Sequence, residues 1–400
     1  MRGLCSTTRV INPEGADVRL LLVHPWAGLP ARQELYSELQ QATRWELLII
    51  TTKKWVDDYG RVVRAARSAN LVGQLLALPV GLSGNIPLHF FRSRLKSHIR
   101  EFHPDCIYIY HEPYAVATFQ MLRAAKAISS APVGIRSSQN VLKRYPMPFR
   151  QLEAWVYRHS DFAVVVTDNV AAVMREKGYT KPIHVIPMPV DLAKFRPADE
   201  RTSGLQLRAG FIGRLVPEKG LASAMAAMAR LPPGTLHLTV VGDGPEGAIL
   251  RDLSSSLGIQ GSVDWRGSLD TDGTAQVLQN LDVLLVPSRA TASWREQFGR
   301  VVIEAAATGI PVIATRSGEL PFLVESLGAG WIVEEGDDVE MARVLQMLSD
   351  NRDQLLSAGE RARRSAVEKY STEVITGQLI DALSQSAKVT PTSGGGNSRS

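Results

Sequence analysis

Two carboxylates eight positions apart, Glu296 and Glu304, are where chemistry is most easily read in this chain. Glu304 stands in Arg300-Val-Val-Ile-Glu-Ala-Ala-Ala-Thr308, an apolar run of helical period, where a carboxylate costs free energy unless a polar group meets it. A ligand hydroxyl could be that group. Arg300, four residues earlier, offers the plainer alternative of a surface ion pair worth ~0.3–0.5 kcal/mol. Glu296 opens Glu296-Gln297-Phe298-Gly299, the loop that follows the strand-like Val-Leu-Leu-Val-Pro287. Elsewhere, Gly213-Arg214 and Lys219-Gly220 follow another apolar strand. Gly213 would let a ligand approach the backbone, and the two cations suit a diphosphate. Val241-Gly242-Asp-Gly-Pro245 is a tight turn that would need its glycines in any protein. In the first half, His111 in Tyr-His-Glu-Pro113 and His24 with Gly28 in His-Pro-Trp-Ala-Gly28 sit just past strand-like runs. A satisfied structural histidine is the competing reading of both.

These groups need elements to hold them. Short apolar runs at 18–23, 45–51, 106–110, 132–136 and 162–167 alternate with helical segments, one of them near 31–41. A second series runs through 209–212, 236–241, 263–265, 283–286 and 312–314. Fully apolar strands separated by helices predict parallel sheets covered on both faces. The fold class is therefore α/β, with two doubly wound Rossmann-like domains and ligands at the carboxyl ends of their strands. The expected boundaries are a loose leader at 1–16, a first domain at 17–189, a second at 190–383 whose last helix is free to return to the first, and a polar, glycine-rich, disordered tail at 384–400.

Composition narrows the function. The 44% apolar and 21% charged residues are those of a soluble globular protein. Cys5 and Cys106 provide neither a disulfide framework nor metal-ligand spacing. No signal peptide is legible, which reads as cytoplasmic. Residues 1–189 carry 24 Lys/Arg against 14 Asp/Glu, a balance of +10, so the remainder holds 21 against 26, or −5. A basic half can meet nucleic acid, an anionic membrane surface or a phosphate-bearing substrate. No nucleic-acid motif accompanies it. Asp270-Thr-Asp272 has the spelling of a metal site but lies in a polar stretch that reads as a loop.

Taken together, Gly213-Arg214 with Lys219-Gly220, Val241 to Pro245, Pro287-Ser288, Glu296-x7-Glu304 and Gly309-Ile-Pro-Val312 resemble the donor half of retaining glycosyltransferases of family 4 (group 1), which have the GT-B fold. The likeness covers about residues 207–337, and Gln139-Asn140, Lys143 to Phe149 and Glu153 resemble a bacterial polysaccharide or glycolipid subgroup. The loop from His24 to Gly28 departs from the family's usual glycine-rich form. The resemblance implies two domains facing each other across a cleft, and a metal-free site without cofactor. In that site Arg214 and Lys219 neutralise the phosphates of a nucleotide diphosphate sugar. Gly213, Gly242, Pro287, Gln297, Phe298 and Gly299 line the donor, Glu304 takes the ribose hydroxyls and Glu296 the sugar. His111 contacts the sugar near its reacting carbon, while His24 and Gly28 lie on the acceptor side. The implied reaction moves a hexose to a saccharide or lipid-linked acceptor, at the inner membrane face if the enzyme is peripheral. A nucleotide-sugar epimerase or hydrolase, or a non-catalytic nucleotide-sugar-binding partner, are the alternatives.

Overall fold

The structure of the protein is a computed structural model that describes residues 18–57, 60–199, 204 and 206–387. The expected leader, Cys5 and most of the expected tail lie outside the described residues. So does part of the stretch around residue 200.

Strands β1 (Arg19–Val23), β2 (Glu46–Thr52), β3 (Gln74–Leu78), β4 (Cys106–Ile109), β5 (Val133–Ser137), β6 (Phe162–Val165) and β7 (Ile183–Val185) form a sheet in the order β3-β2-β1-β4-β5-β6-β7. The pairs β1–β2, β1–β4, β2–β3, β4–β5 and β6–β7 are parallel. Strands β8 (Leu207–Ile212), β9 (Leu236–Val241), β10 (Val263–Gly267), β11 (Val283–Val286), β12 (Val312–Thr315) and β13 (Gly330–Val333) form a second parallel sheet, ordered β10-β9-β8-β11-β12-β13. Both orders reverse beside the first strand of their sheet, the doubly wound pattern in which ligands sit at the reversal.

Residue pattern explains this. Leu20 to Val23, Ile49, Ile50 and Cys106 to Ile109 are almost wholly buried, as a strand covered on both faces requires. In the second sheet, Leu207, Ala209, Phe211, Leu238, Val240, Val283 and Leu285 join a core closed by the helices Leu221–Ala229 and Asp338–Asp350. The edge strands β3, β7 and β13 are additions to the expected set. So are two antiparallel ribbons, Lys54–Val56 with Val62–Arg64, and Val80–Gly81 with Phe90–Phe91. By compactness, one unit takes residues up to Ile135, His159–Phe162 and Ile380 onward; the other takes Arg136–Arg158 and Ala163–Leu379. The last helix, Thr372–Ala387, continues beyond Ser384, where the tail was expected to begin. No helix among the described residues is long and apolar enough to cross a membrane.

Close backbone approach between the loops that follow β8 and β9 fixes one glycine. Gly242 has φ +139°, and a Cβ there would stand 1.8 Å from the carbonyl oxygen of Gly213. Gly242→Ala should therefore destabilise the protein by roughly 2 kcal/mol or more. An unchanged denaturant midpoint would show that the two loops can part without cost.

Candidate functional site

The second sheet reverses between β8 and β11, so the loops leaving those two strands are neighbours. The β8 loop carries Gly213 and exposed Arg214, then a single 3₁₀ turn, Pro217–Lys219, closed by Gly220 in the left-handed conformation. Gly220 packs against the carbonyl of Pro287, at the end of β11, with no room for a Cβ. The Arg289 N–H also donates to the Glu218 carbonyl, 2.8 Å. Thus stitched together, the loops bring Lys219 Nζ to 2.6 Å from Glu296 Oε2, and Ser288 Oγ donates to the same oxygen at 3.0 Å. Lys219 Nζ also lies 5.1 Å from the centre of the Trp294 ring. Glu296 is 9% exposed, so its charge is held by these partners rather than by water.

The backbone of Glu296 is gripped as well. Its carbonyl accepts from the Glu319 N–H at 3.1 Å and from Asn140 Nδ2 at 2.8 Å. Gly318 (φ +52°) abuts it where a Cβ would collide. Asn140 Oδ1 and Ser317 Oγ are buried beside this segment without a partner. Further along, Gln297 and buried Phe298 lead to Gly299, whose φ of +80° turns the chain into the helix Arg300–Thr308. No side chain caps that helix, which leaves N–H groups of its first turn for an anion. Glu304 is on this helix with its side chain 12% exposed, paired with Arg300 at 2.9 Å. The ion pair considered from sequence is therefore present. Because Glu304 is the more buried member, the pair leaves it a largely shielded carboxylate, whereas Arg300 is open to solvent.

The first sheet reverses between β1 and β4, and its paired loops carry the histidines. His24 stacks on Tyr110 with ring centres 4.1 Å apart and bonds through Nδ1 to the Tyr36 hydroxyl, 2.8 Å. Trp26 stacks on His111, 5.4 Å. Gly28 lies against Ala65, and the buried Gln33 ties this loop to the Ala66 and Ala27 carbonyls. His111 Nδ1 meets Thr118 Oγ1 at 2.9 Å, and that hydroxyl donates its proton to the Glu112 carbonyl. Nδ1 must then carry the hydrogen of His111, leaving Nε2 a bare acceptor that is buried without a partner. His89 repeats this arrangement: Nδ1 faces the carbonyls of Asn85 and Ile86, and Nε2 is buried and bare. Its ring lies 4.8 Å from that of His111 and 5.0 Å from Trp55. Burial lowers both histidine pKa values, that of His111 well below 6.5 with help from the His89 ring. The box is neutral.

Sequence reasoning missed Ser288 and Trp294 as partners within the donor loops, His89, Trp26 and Trp55 in the histidine box, and Glu319. Glu319 accepts from Asn169 Nδ2 at 2.6 Å and Thr167 Oγ1 at 3.1 Å, and burial raises its pKa. Only proximity in the fold marks these residues. Asp270, by contrast, caps the helix Thr271–Gln279 by accepting from the Gly273 N–H.

A family model described as glycosyl transferases group 1 matches residues 198–365, and one described as glycosyltransferase family 4 matches residues 34–194. The chain belongs to this glycosyltransferase family. The D-inositol 3-phosphate glycosyltransferase of Corynebacterium urealyticum is 31% identical over 261 residues, 60% of each chain. The lipopolysaccharide core biosynthesis glycosyltransferase LpsE of Rhizobium meliloti is 29% identical over 57% of this chain and 65% of its own. The chain thus spans about three fifths of the length of the curated relatives it matches. Among solved structures, sucrose-phosphate synthase from Thermosynechococcus elongatus matches with a TM-score of 0.73 at 20% identity, over 93% of this chain and 100% of that one. Anabaena HepE, solved with UDP-glucose, matches with a TM-score of 0.68 at 17% identity, over 92% and 100%. The fold is GT-B. In this member of the family, the sheet reversals hold a charged cluster in the second half and an aromatic, neutral one in the first.

The neutral histidines set a pH dependence. Between their depressed native values and 6.5 the unfolded chain binds more protons than the folded one, so stability falls as pH drops below about 6.5. Each histidine adds up to about 1.4 kcal/mol per pH unit in that window. A double variant, His89→Asn with His111→Asn, should lose stability less steeply between pH 7.5 and 5.5 than the parent in thermal melts. Parallel profiles would place the titration elsewhere.

Proposed function

We propose that the protein transfers a hexose from a nucleoside diphosphate sugar to a saccharide or lipid-linked acceptor, with retention of configuration and without a metal. The observation that carries this reading is the convergence of Lys219 and Ser288 on Glu296 at the reversal of the second sheet. Cations beside buried hydroxyl acceptors suit a ligand that joins a diphosphate to a sugar. The UDP and UDP-glucose complexes of Anabaena HepE support a nucleotide sugar as donor. The relatives named for lipopolysaccharide core and inositol phosphate glycosylation support a biosynthetic role.

In this reading Arg214, Lys219 and the N–H groups after Gly299 stabilise the diphosphate as it departs, the largest contribution such a site can offer. Without donor, Lys219 neutralises Glu296. An arriving phosphate competes for the ammonium and frees a carboxylate oxygen for the sugar hydroxyls. Glu304 accepts from the ribose. The bond from the anomeric carbon to the phosphate oxygen breaks while the acceptor oxygen closes on the same face. The leaving phosphate takes the acceptor proton, so no separate base is needed. His111 offers Nε2 to a substrate hydroxyl. The cationic first half suits a phosphate-bearing acceptor or an anionic membrane, which would make the protein a cytoplasmic enzyme bound peripherally at the inner face.

A panel of nucleotide sugars tests the reading. The true donor should raise the melting temperature logarithmically with its concentration and be turned over to a glycoside with retained configuration. An epimerase or hydrolase would yield a different product, and a non-catalytic partner only the melting shift. Glu304→Ala should cut donor turnover at least ~100-fold with an unchanged melting temperature; near-normal turnover would sink the ribose role. Turnover should persist in a chelator, and a strict magnesium requirement would overturn the metal-free account.

A further inference from the structure

A cavity of about 330 Å³ lies within the second unit, at the carboxyl ends of β6 and β7. The rings of Phe298, Phe322 and Tyr370 wall it, together with Val166 and Leu323. Its charged lining is wholly acidic: Asp168 and Glu319 contribute carboxylates, and no Lys, Arg or His lines it.

The aromatic wall is not leftover packing surface. In the helix Leu320–Leu327, the buried residues are Leu320, Leu323, Val324 and Leu327, the stripe of helical period that faces the core. Phe322 falls off that stripe and is 64% exposed, so its ring borders the cavity while adding nothing to the core. Phe298 and Tyr370 are buried, with ring centres 6.3 Å apart.

Glu319 gives the cavity a charge that its surroundings do not balance. It is 6% exposed, and both of its side-chain hydrogen bonds fall on one oxygen: Asn169 Nδ2 and Thr167 Oγ1 donate to Oε1. Oε2 has no partner among the described residues. The exposed Asp168 carboxylate has none there either. Burial, and to a lesser degree the Asp168 charge, pushes the Glu319 carboxyl above its ordinary value. Lys369, next to Tyr370 in the chain, donates instead to the Ser326 carbonyl at 2.6 Å. A cation between the two carboxylates would relieve their repulsion.

The walls decide which cation. No group of three or more His, Cys, Asp or Glu that could hold a metal ion occurs among the described residues. Aromatic rings cannot replace the water of a hydrated inorganic ion, whereas an ammonium is drawn to carboxylates and ring faces alike. The acceptors at hand are Glu319 Oε2, the Asp168 carboxylate and the Tyr370 hydroxyl. They suit a primary ammonium, with its three N–H donors, better than a quaternary one. We infer that this cavity binds a small primary amine, its ammonium against Glu319 and Asp168 and its carbon body among Phe298, Phe322 and Tyr370. The site adjoins the donor loops, because Phe298 belongs to the loop from Glu296 to Gly299 and the Glu319 N–H bonds the Glu296 carbonyl. Lys219 and Glu304 take no part in it.

The test needs neither donor nor turnover, so its failure is distinct from failure of the transfer reaction. Cyclohexylamine, cyclohexanol and cyclohexanecarboxylate share one carbon ring and differ in charge. Titrated into the full chain near neutral pH, cyclohexylamine should raise the melting temperature with its concentration, and the other two should not. Glu319→Gln keeps an oxygen for Thr167 and Asn169 but removes the charge, and it should weaken cyclohexylamine binding at least ~10-fold by calorimetry. Asp168→Asn and Phe322→Ser should weaken it by smaller factors, with the melting temperature of the free protein unchanged. An equal shift from cyclohexanol would reduce the cavity to an apolar cleft and overturn the proposal. Undiminished amine binding by Glu319→Gln would do the same. Should that variant not fold, parental affinity in both Asp168→Asn and Phe322→Ser would overturn it.

Discussion

A parallel sheet whose strand order reverses beside its first strand leaves two adjacent loops diverging at its carboxyl edge, and both clusters in this protein depend on that constraint. In the second sheet the reversal sets the β8 and β11 loops side by side, so that Gly220 can lie on the Pro287 carbonyl and Lys219 can reach Glu296. In the first it sets the β1 and β4 loops together, so that His24 stacks on Tyr110 and Trp26 on His111. Nothing local to either loop would produce these contacts. They follow from connecting strands by right-handed crossovers in two directions from a common centre.

The two edges were then furnished in opposite ways. At Glu296 the ammonium of Lys219 and the hydroxyl of Ser288 hold an ionised carboxylate out of water, an arrangement that charges a ligand could rearrange. Around His111 the polar atoms that remain open are lone pairs on neutral rings, walled by Trp26 and Trp55. Neutral acceptors framed by aromatic faces suit uncharged hydroxyl-bearing rings better than phosphates.

Much of this was legible in the chain. Alternating apolar runs foretold the strands at the centre of both sheets, because a strand buried on both faces has no choice but to be apolar. The edge strands β3, β7 and β13 escaped notice for the same reason. Gln74–Leu78 is partly exposed and bounded by Gly73 and Pro79, so it reads as an interrupted apolar stretch. Of the chemical groups, Arg214, Lys219, Glu296 and Glu304 stood out because charges beside glycines and apolar runs are unusual. Ser288 and Asn140 entered only as members of the motifs Pro287-Ser288 and Gln139-Asn140, and His89 not at all. A serine, an asparagine and a histidine acquire meaning only when folding sets them beside Glu296 or His111. Asp270-Thr-Asp272 shows the converse, since a spelling suggestive of metal is spent on a helix cap.

The pairing of Arg300 with Glu304 is where the plain and the functional readings meet. A solvent-exposed i,i+4 pair contributes little, and had Glu304 been exposed the plain reading would suffice. Its side chain is instead 12% accessible while its partner's is 46%. A carboxylate that shielded, on a helix whose neighbours Val302, Ile303, Ala305 and Ala306 are fully buried, has given up hydration that polar partners must return. Hydroxyls of a bound ligand, arriving beside the uncapped helix start after Gly299, would be donors suited to a carboxylate so placed.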